Sequence, residues 1–314
     1  MKRLLFTGAG GFIGRRAVPY LLERGFEVHA VDVRPIELAG CTAHTANLLD
    51  AFEVKRVVAA VRPTHLLHLA WYVEHGKFWT SPDNTRWVEA SIALLREFAA
   101  QDGRRVLTAG TCSEYETGHA LCVEDETPCR PATLYGACKY ALSVLQSAIC
   151  RQMGVSSAWA RVFFLYGPGE PERKLVSSVI TSLLRGETAA TTHGEQVRDF
   201  LHVEDVARAL VAVLDSDLEG NVNIGSGEPV TQRQVVETIA SLIGKSELLQ
   251  LGAVPAGAND PTHLIPDVRR LKTTGFTPKH TLESGVRDTI EWWKKGPGTA
   301  SETPVPGFVR EPSV

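Results

Sequence analysis

Thr7-Gly8-Ala9-Gly10-Gly11-Phe12-Ile13-Gly14 follows a short apolar run, Leu4-Leu5-Phe6, which reads as a buried strand. It precedes Arg15 to Arg24, which reads as a helix. Strand, glycine-rich turn and helix together make a seat for a pyrophosphate. Backbone N–H groups of the turn and the positive end of the helix both face the anion. Glycine suits such a turn where a ligand comes too close for a Cβ, or where φ must be positive. A second strand, Val28-His29-Ala30-Val31, ends in Asp32, 18 residues beyond Gly14. That is where an acid that binds an adenosine ribose belongs.

Composition limits the alternatives. The chain has 314 residues, 44% hydrophobic and 22% charged, as in an ordinary soluble globular protein. A net charge of −3 gives no reason to expect nucleic acid or an anionic membrane as partner. No apolar run approaches the roughly 20 residues of a membrane helix, and Arg3 to Phe6 enters a strand without room for a signal peptide. A cytoplasmic location is expected. Six cysteines, at 41, 112, 122, 129, 138 and 150, show no CxxC pairing, so free thiols are expected and no metal site.

Further strands are expected at Leu66 to Ala70, Arg105 to Ala109 and Val155 to Val162. Helices are expected from an Asp50 cap through Ala60, over Asn84 to Ala100, and over Tyr135 to Arg151. Continuous apolar strands alternating with helices argue for an α/β fold, a Rossmann-type doubly wound parallel sheet. Residues 1–165 would form this dinucleotide-binding domain. Beyond it the rhythm changes to shorter pieces, read as a smaller substrate lobe over 166–295, partly interleaved with the sheet. Residues 296–314, with four prolines, read as a loose tail.

Tyr135-Gly136-Ala137-Cys138-Lys139 is the second informative stretch. On a helix Tyr135 and Lys139 stand four apart and share a face. An ammonium beside a phenol favours the phenolate and lowers its pKa from about 10. Such a tyrosine would exchange protons near neutral pH. Thr111, just past the strand at Arg105, sits where parallel sheets carry their reactive groups. Its hydroxyl would share a substrate oxygen with Tyr135, or serve its own turn.

TGAGGFIG and YGACK on this spacing resemble the extended short-chain dehydrogenase/reductases, and among them the nucleotide-sugar epimerase/dehydratase group. The segments Arg161 to Pro168, Arg198 to Val206 and Asn223 to Gly227 carry the same resemblance, which spans residues 3 to about 293. It implies NAD(P), a nucleotide-activated sugar, hydride transfer at a sugar carbon, and a homodimer formed through the helices at 84–100 and 135–151. By the resemblance Gly8, Gly11 and Gly14, with Phe12 and Ile13, hold the pyrophosphate and Asp32 the ribose. Asn47 and Leu48 would stand beside adenine, Leu69 and Ala70 would flank the cofactor, and Tyr135 and Lys139 would hold the nicotinamide ribose and transfer the proton. Arg198 would contact the sugar nucleotide's phosphates. Asp32 favours NAD, while Arg34 leaves NADP open.

The reaction is narrowed by departures from the family pattern. Family 4,6-dehydratases place an acidic pair directly after the threonine; here Cys112 and Ser113 stand there, with Glu114 one place late. Ordinary 4,6-dehydration is disfavoured, leaving a variant that uses Cys112 as its acid. Phe164 replaces a substrate-touching Asn, and Gly257 stands near an expected phosphate-binding Arg, whose role Arg173 or Lys174 could take. The runs Gly194 to Phe200 and Gly252 to Pro255 tilt the reading towards reduction of an NDP-4-keto-6-deoxyhexose at C4. An NDP-sugar 4-epimerase with tightly held NAD and a non-catalytic dinucleotide binder remain as alternatives. Trp71 to Trp79, with His75 and Lys77, would line the sugar pocket or form a packed loop.

Overall fold

A computed structural model describes residues 2–74, 76–257 and 260–296; the expected tail lies outside them except for Gly296. The first half runs β1 (Lys2–Thr7), α1 (Gly14–Glu23), β2 (Phe26–Asp32), β3 (Thr42–Thr45), α2 (Ala51–Val61), β4 (His65–His68), α3 (Asp83–Ala100), β5 (Arg105–Thr111), α4 (Leu134–Met153) and β6 (Ser156–Val162). Local sequence explains several boundaries. Asp50 caps α2 by accepting from the amides of Phe52 and Glu53, and Thr133 caps α4 by accepting from Gly136. Gly154 ends α4 in the left-handed conformation.

The second half runs β7 (Phe164–Tyr166), α5 (Leu175–Arg185), β8 (Ala189–Ala190), β9 (Val197–His202), α6 (Val203–Leu214), β10 (Gly220–Ile224), β11 (Pro229–Thr231), α7 (Gln232–Ile243), β12 (Leu249–Gln250), β13 (His263–Leu264), α8 (Arg269–Lys272) and α9 (Leu282–Lys295).

Seven parallel strands form the main sheet, in the order β10-β6-β5-β4-β1-β2-β3. This is the doubly wound Rossmann arrangement, with its switch point beside β1. Side chains alternate across it. Leu4 and Phe6 enter the core under α1 and α6, while Leu5 points to the opposite core under α2, α3 and α4. The chain returns to this sheet beyond residue 165, because α6 packs on its face and β10 forms its edge. A smaller sheet of β7, β9, β11 and β13 lies with α5, α7 and α9 over a separate core. Strand β3 was not legible in advance: Thr42-Ala43-His44-Thr45 is a half-exposed edge with little apolar content.

Two motif segments serve the fold. Both carboxylate oxygens of Asp199 accept from the amides of Ser226 and Gly227 at 2.7 Å, fastening β9 to the turn after β10. Asp205 likewise accepts from the amides of Lys279 and His280 at 2.8 and 2.9 Å, fastening α6 to the start of α9.

Candidate active site

The glycine turn has the geometry of a close-approach site. Gly8 has φ +73°, and a Cβ there would lie 2.8 Å from the Ala70 amide nitrogen. Leu69 and Ala70 therefore lie directly against the turn, and both amides donate to Thr7. A Cβ on Gly10 would meet Asp32 Oδ2 at 2.8 Å, so the absence of a side chain admits the acid at the end of β2 to the turn. Gly10 was not singled out from sequence, because only the fold brings Asp32 beside it. Helix α1 begins after Ile13 with no side-chain cap and no acid in its first turn, which leaves its positive end available to an anion. Gly11, Phe12 and Ile13 complete the turn. Arg34 is exposed beyond Asp32 and Asn47 is exposed, while Leu48 is buried under the turn from β3.

Thr111 ends β5 and Tyr135 opens α4, so the two are brought together at the carboxyl edge of the sheet. The expectation that Lys139 lowers the Tyr135 pKa is not met. Burial raises the phenol above its usual range, with the Thr111 hydroxyl pulling the other way. Lys139 is itself buried and pushed down to about 7, opposed by the Glu114 charge. Desolvation is the largest cause at both groups. Lys139 Nζ donates to the Ala109 carbonyl at 2.8 Å and lies 3.8 Å from the Trp71 ring centroid.

Beneath Lys139, His68 is fully buried between Thr7 Oγ1 at 2.7 Å and Ser91 Oγ at 2.9 Å. Burial, with Lys139 adding to it, pushes it down to about 3, so it stays neutral. A lone histidine in an apolar run gave no sequence signal for this relay.

Glu114 accepts from the Thr111 amide at 2.8 Å, from Trp159 Nε1 at 2.9 Å and from Arg161 Nε at 2.8 Å. These bonds hold the turn and occupy both carboxylate oxygens. Cys112 packs with Tyr115, Cys122, Phe163 and Leu264, and burial pushes its thiol up to about 12. A thiol so far from neutrality is poorly matched to general acid–base work, which weighs against the Cys112 dehydratase alternative. Ser113 donates its amide to Thr111 Oγ1 at 3.2 Å.

Arg198 is fully buried. Its guanidinium donates to Asp260 Oδ1 at 2.6 Å and to the carbonyls of Val197, Pro261 and Thr262, and lies 5.3 Å over Phe164. The guanidinium expected to meet the phosphates is thus paired with the Asp260 carboxylate. Gly257 is exposed in the same loop.

Trp71 and Phe78 are buried, and Phe78 and Trp79 meet the Tyr135 ring edge-on at 4.8 and 5.8 Å. Lys77 is exposed and pairs with Glu74; His75 lies outside the described residues. On the far side of α1, His202, Glu204 and His280 come close together. The Glu204 oxygens are already held by Tyr20, Lys279 and His280, and Arg15 and Arg16 line the same hollow. That charge balance does not invite a cation.

A bare glycine turn, an acid at the end of β2 and a buried Thr–Tyr–Lys set at one sheet edge are the features of an oxidoreductase of the short-chain dehydrogenase/reductase type. The chain belongs to the NAD dependent epimerase/dehydratase family, whose model matches residues 4–225. It is 27% identical over 308 residues to UDP-glucuronic acid decarboxylase 1 of Xenopus tropicalis, covering 94% of this chain and 72% of the relative. It is 26% identical over 313 residues to UDP-glucose 4-epimerase of Corynebacterium glutamicum, covering 91% and 94%. Among solved structures it superposes on MoeE5 in complex with UDP-glucuronic acid and NAD, with a TM-score of 0.79, 31% identity and coverage of 93% and 99%. The cofactor of the family is NAD. The residues present fit it: Gly8 and Gly10 leave the turn bare, Asp32 offers a carboxylate to a ribose diol, and Lys139 has donor capacity beyond Ala109. No helix among the described residues is long and apolar enough to cross a membrane.

Proposed function

We propose that this chain interconverts C4 epimers of a nucleotide-activated hexose through a transient 4-ketone. NAD would supply the hydride acceptor and donor. Tyr135 would take the C4 hydroxyl proton and return it, Thr111 would orient that oxygen, and Lys139 would hold the ribose side of the site. The carrying observation is that Thr111 and Tyr135 meet at the sheet edge with Lys139 one turn on, while Glu114 is held by Arg161 and Cys112 lies in an apolar cluster. That inventory supports oxidation and reduction at one carbon, and among the described residues next to Thr111 it offers no acid–base pair for eliminating water. Epimerisation is favoured over net reduction by the relatives, which include a UDP-glucose 4-epimerase.

Net reduction of an NDP-4-keto-6-deoxyhexose is the second reading, favoured by the runs Gly194 to Phe200 and Gly252 to Pro255. The purified protein is incubated with UDP-glucose, UDP-galactose and UDP-glucuronic acid, and products are separated by chromatography. Epimer formation without added cofactor, lost in Tyr135→Phe while NAD remains bound, is the expected result. Oxidation of NADH by a 4-keto sugar, with no epimer from any of the three, would replace it by the reductase. No turnover of any sugar by the wild type, with NAD bound equally by Tyr135→Phe, would identify a binder without catalysis.

A further inference from the structure

We propose that Trp71 is a positioning residue of the catalytic centre, its indole face serving as the seat of the Lys139 ammonium and Asn84 as the bolt that holds the indole. The proposal rests on the oxidoreductase reading above.

The ammonium lies 3.8 Å from the Trp71 ring centroid, well inside the range of a cation–π contact. The indole cannot turn away freely. Its Nε1 donates to Asn84 Oδ1 at 2.9 Å, and Asn84 is fully buried in the first turn of α3. The Asn84 amide in turn donates to the carbonyls of Phe78 at 2.7 Å and Ser81 at 2.9 Å, which closes the loop onto the helix. The same loop carries Phe78 and Trp79 against the Tyr135 ring, and the Trp79 carbonyl accepts from the Tyr135 amide at 3.1 Å. One short segment therefore touches both members of the Tyr–Lys pair.

Such a seat has a physical purpose here. A buried ammonium loses its hydration, and the charged form survives only where protein groups replace it. Ala109 supplies one carbonyl. The charged and titratable groups facing Lys139 are Glu114 from the turn after β5, His68 from the end of β4 and Tyr135 one turn back on α4. His68 is neutral and Glu114 is shared with Arg161 and Trp159. The indole quadrupole adds stabilisation to that of Ala109 and Glu114, while leaving ammonium donors for a ribose hydroxyl.

The test compares Trp71→Phe with Trp71→Leu. Both retain apolar bulk, but only phenylalanine presents a π face. The Lys139 titration is read without substrate from the 13C resonance of its Cε, assigned by its loss in Lys139→Arg. Trp71→Leu should titrate about one pH unit below wild type, because the charged form has lost its partner. Trp71→Phe should restore most of that difference. The alkaline limb of kcat should move down with it, with KM for the sugar nucleotide changed less than twofold. Should Trp71→Leu fail to fold, Trp71→Met takes its place. Equal titration in the wild type and the non-aromatic variants, or equal shifts in the phenylalanine and leucine variants, would overturn the proposal. Shifts as expected, with no turnover of any sugar nucleotide, would uphold the seat and sink the oxidoreductase reading instead.

Discussion

Arg161 Nε lies 2.8 Å from Glu114 Oε2, with both side chains almost wholly buried. The ion pair joins the end of β6 to the turn that carries Thr111. Arg161 also donates to the Tyr115 hydroxyl and the Glu124 carbonyl. Removing one partner of such a pair leaves an uncompensated buried charge and costs about 3–5 kcal/mol. Glu114→Ala should lower the urea-unfolding free energy by that amount with an unchanged slope, and should reduce kcat because the Thr111 amide loses its acceptor. A loss below about 1 kcal/mol would show that solvent reaches the pair.

Glu170 gives a pH-dependent contribution of known sign. Burial pushes its carboxyl up to about 7 from an ordinary 4.5, with Ser177 Oγ as its partner at 3.0 Å. The folded state holds the proton more tightly than the unfolded chain. The stabilisation is therefore complete below about pH 4.5 and is lost as pH rises through about 7. The difference corresponds to roughly 3 kcal/mol. Subtracting the stability profile of Glu170→Gln from that of wild type should leave a curve that falls between pH 5 and 8. A flat difference would mean the site hydrates its charge.

Arg198 is held by Asp260, whose side chain is 38% exposed. If this guanidinium serves a diphosphate, as the family resemblance implies, Asp260 competes with the ligand. Asp260→Asn should tighten UDP binding by roughly three- to tenfold in calorimetry, about the worth of a partly exposed pair. Unchanged affinity would make Arg198 a strut for β9 and β13.

Asp32 faces the bare Gly10 at the turn. Its carboxylate favours a ribose diol and repels a 2′-phosphate. Asp32→Asn should weaken NAD binding about tenfold, the worth of a charge-assisted hydrogen bond, and narrow the preference over NADP. Equal effects on both dinucleotides would place the acid outside ribose contact, and attention would shift to the neighbouring Arg34.

Much of the scaffold was readable in one dimension because its signals are local. Asp50 announces a helix start, and the strand expected over Val155 to Val162 is found at Ser156–Val162. The turn, Asp32, Thr111, Tyr135 and Lys139 likewise fall at strand ends and a helix start, where spacing alone places them. Strand β3 escaped because an edge strand with half-exposed polar residues lacks the apolar alternation that marks a buried one.

The electrostatic state of the site escaped for a different reason. Sequence proximity of Tyr135 and Lys139 invited a lowered phenol pKa, but burial is a property of everything that folds around the pair. Glu114 looked like a misplaced acid until Arg161, 47 residues away, was seen to claim it. The sequence by itself determined that a glycine turn and a Tyr–Lys pair belong to one parallel sheet, since continuous apolar strands alternating with helices specify such a sheet and glycine chemistry marks the turn. Only the tertiary structure decided which charges are free to act. Desolvation and long-range pairing depend on the side chains that close over Lys139, Glu114 and Arg198, and no local pattern encodes them.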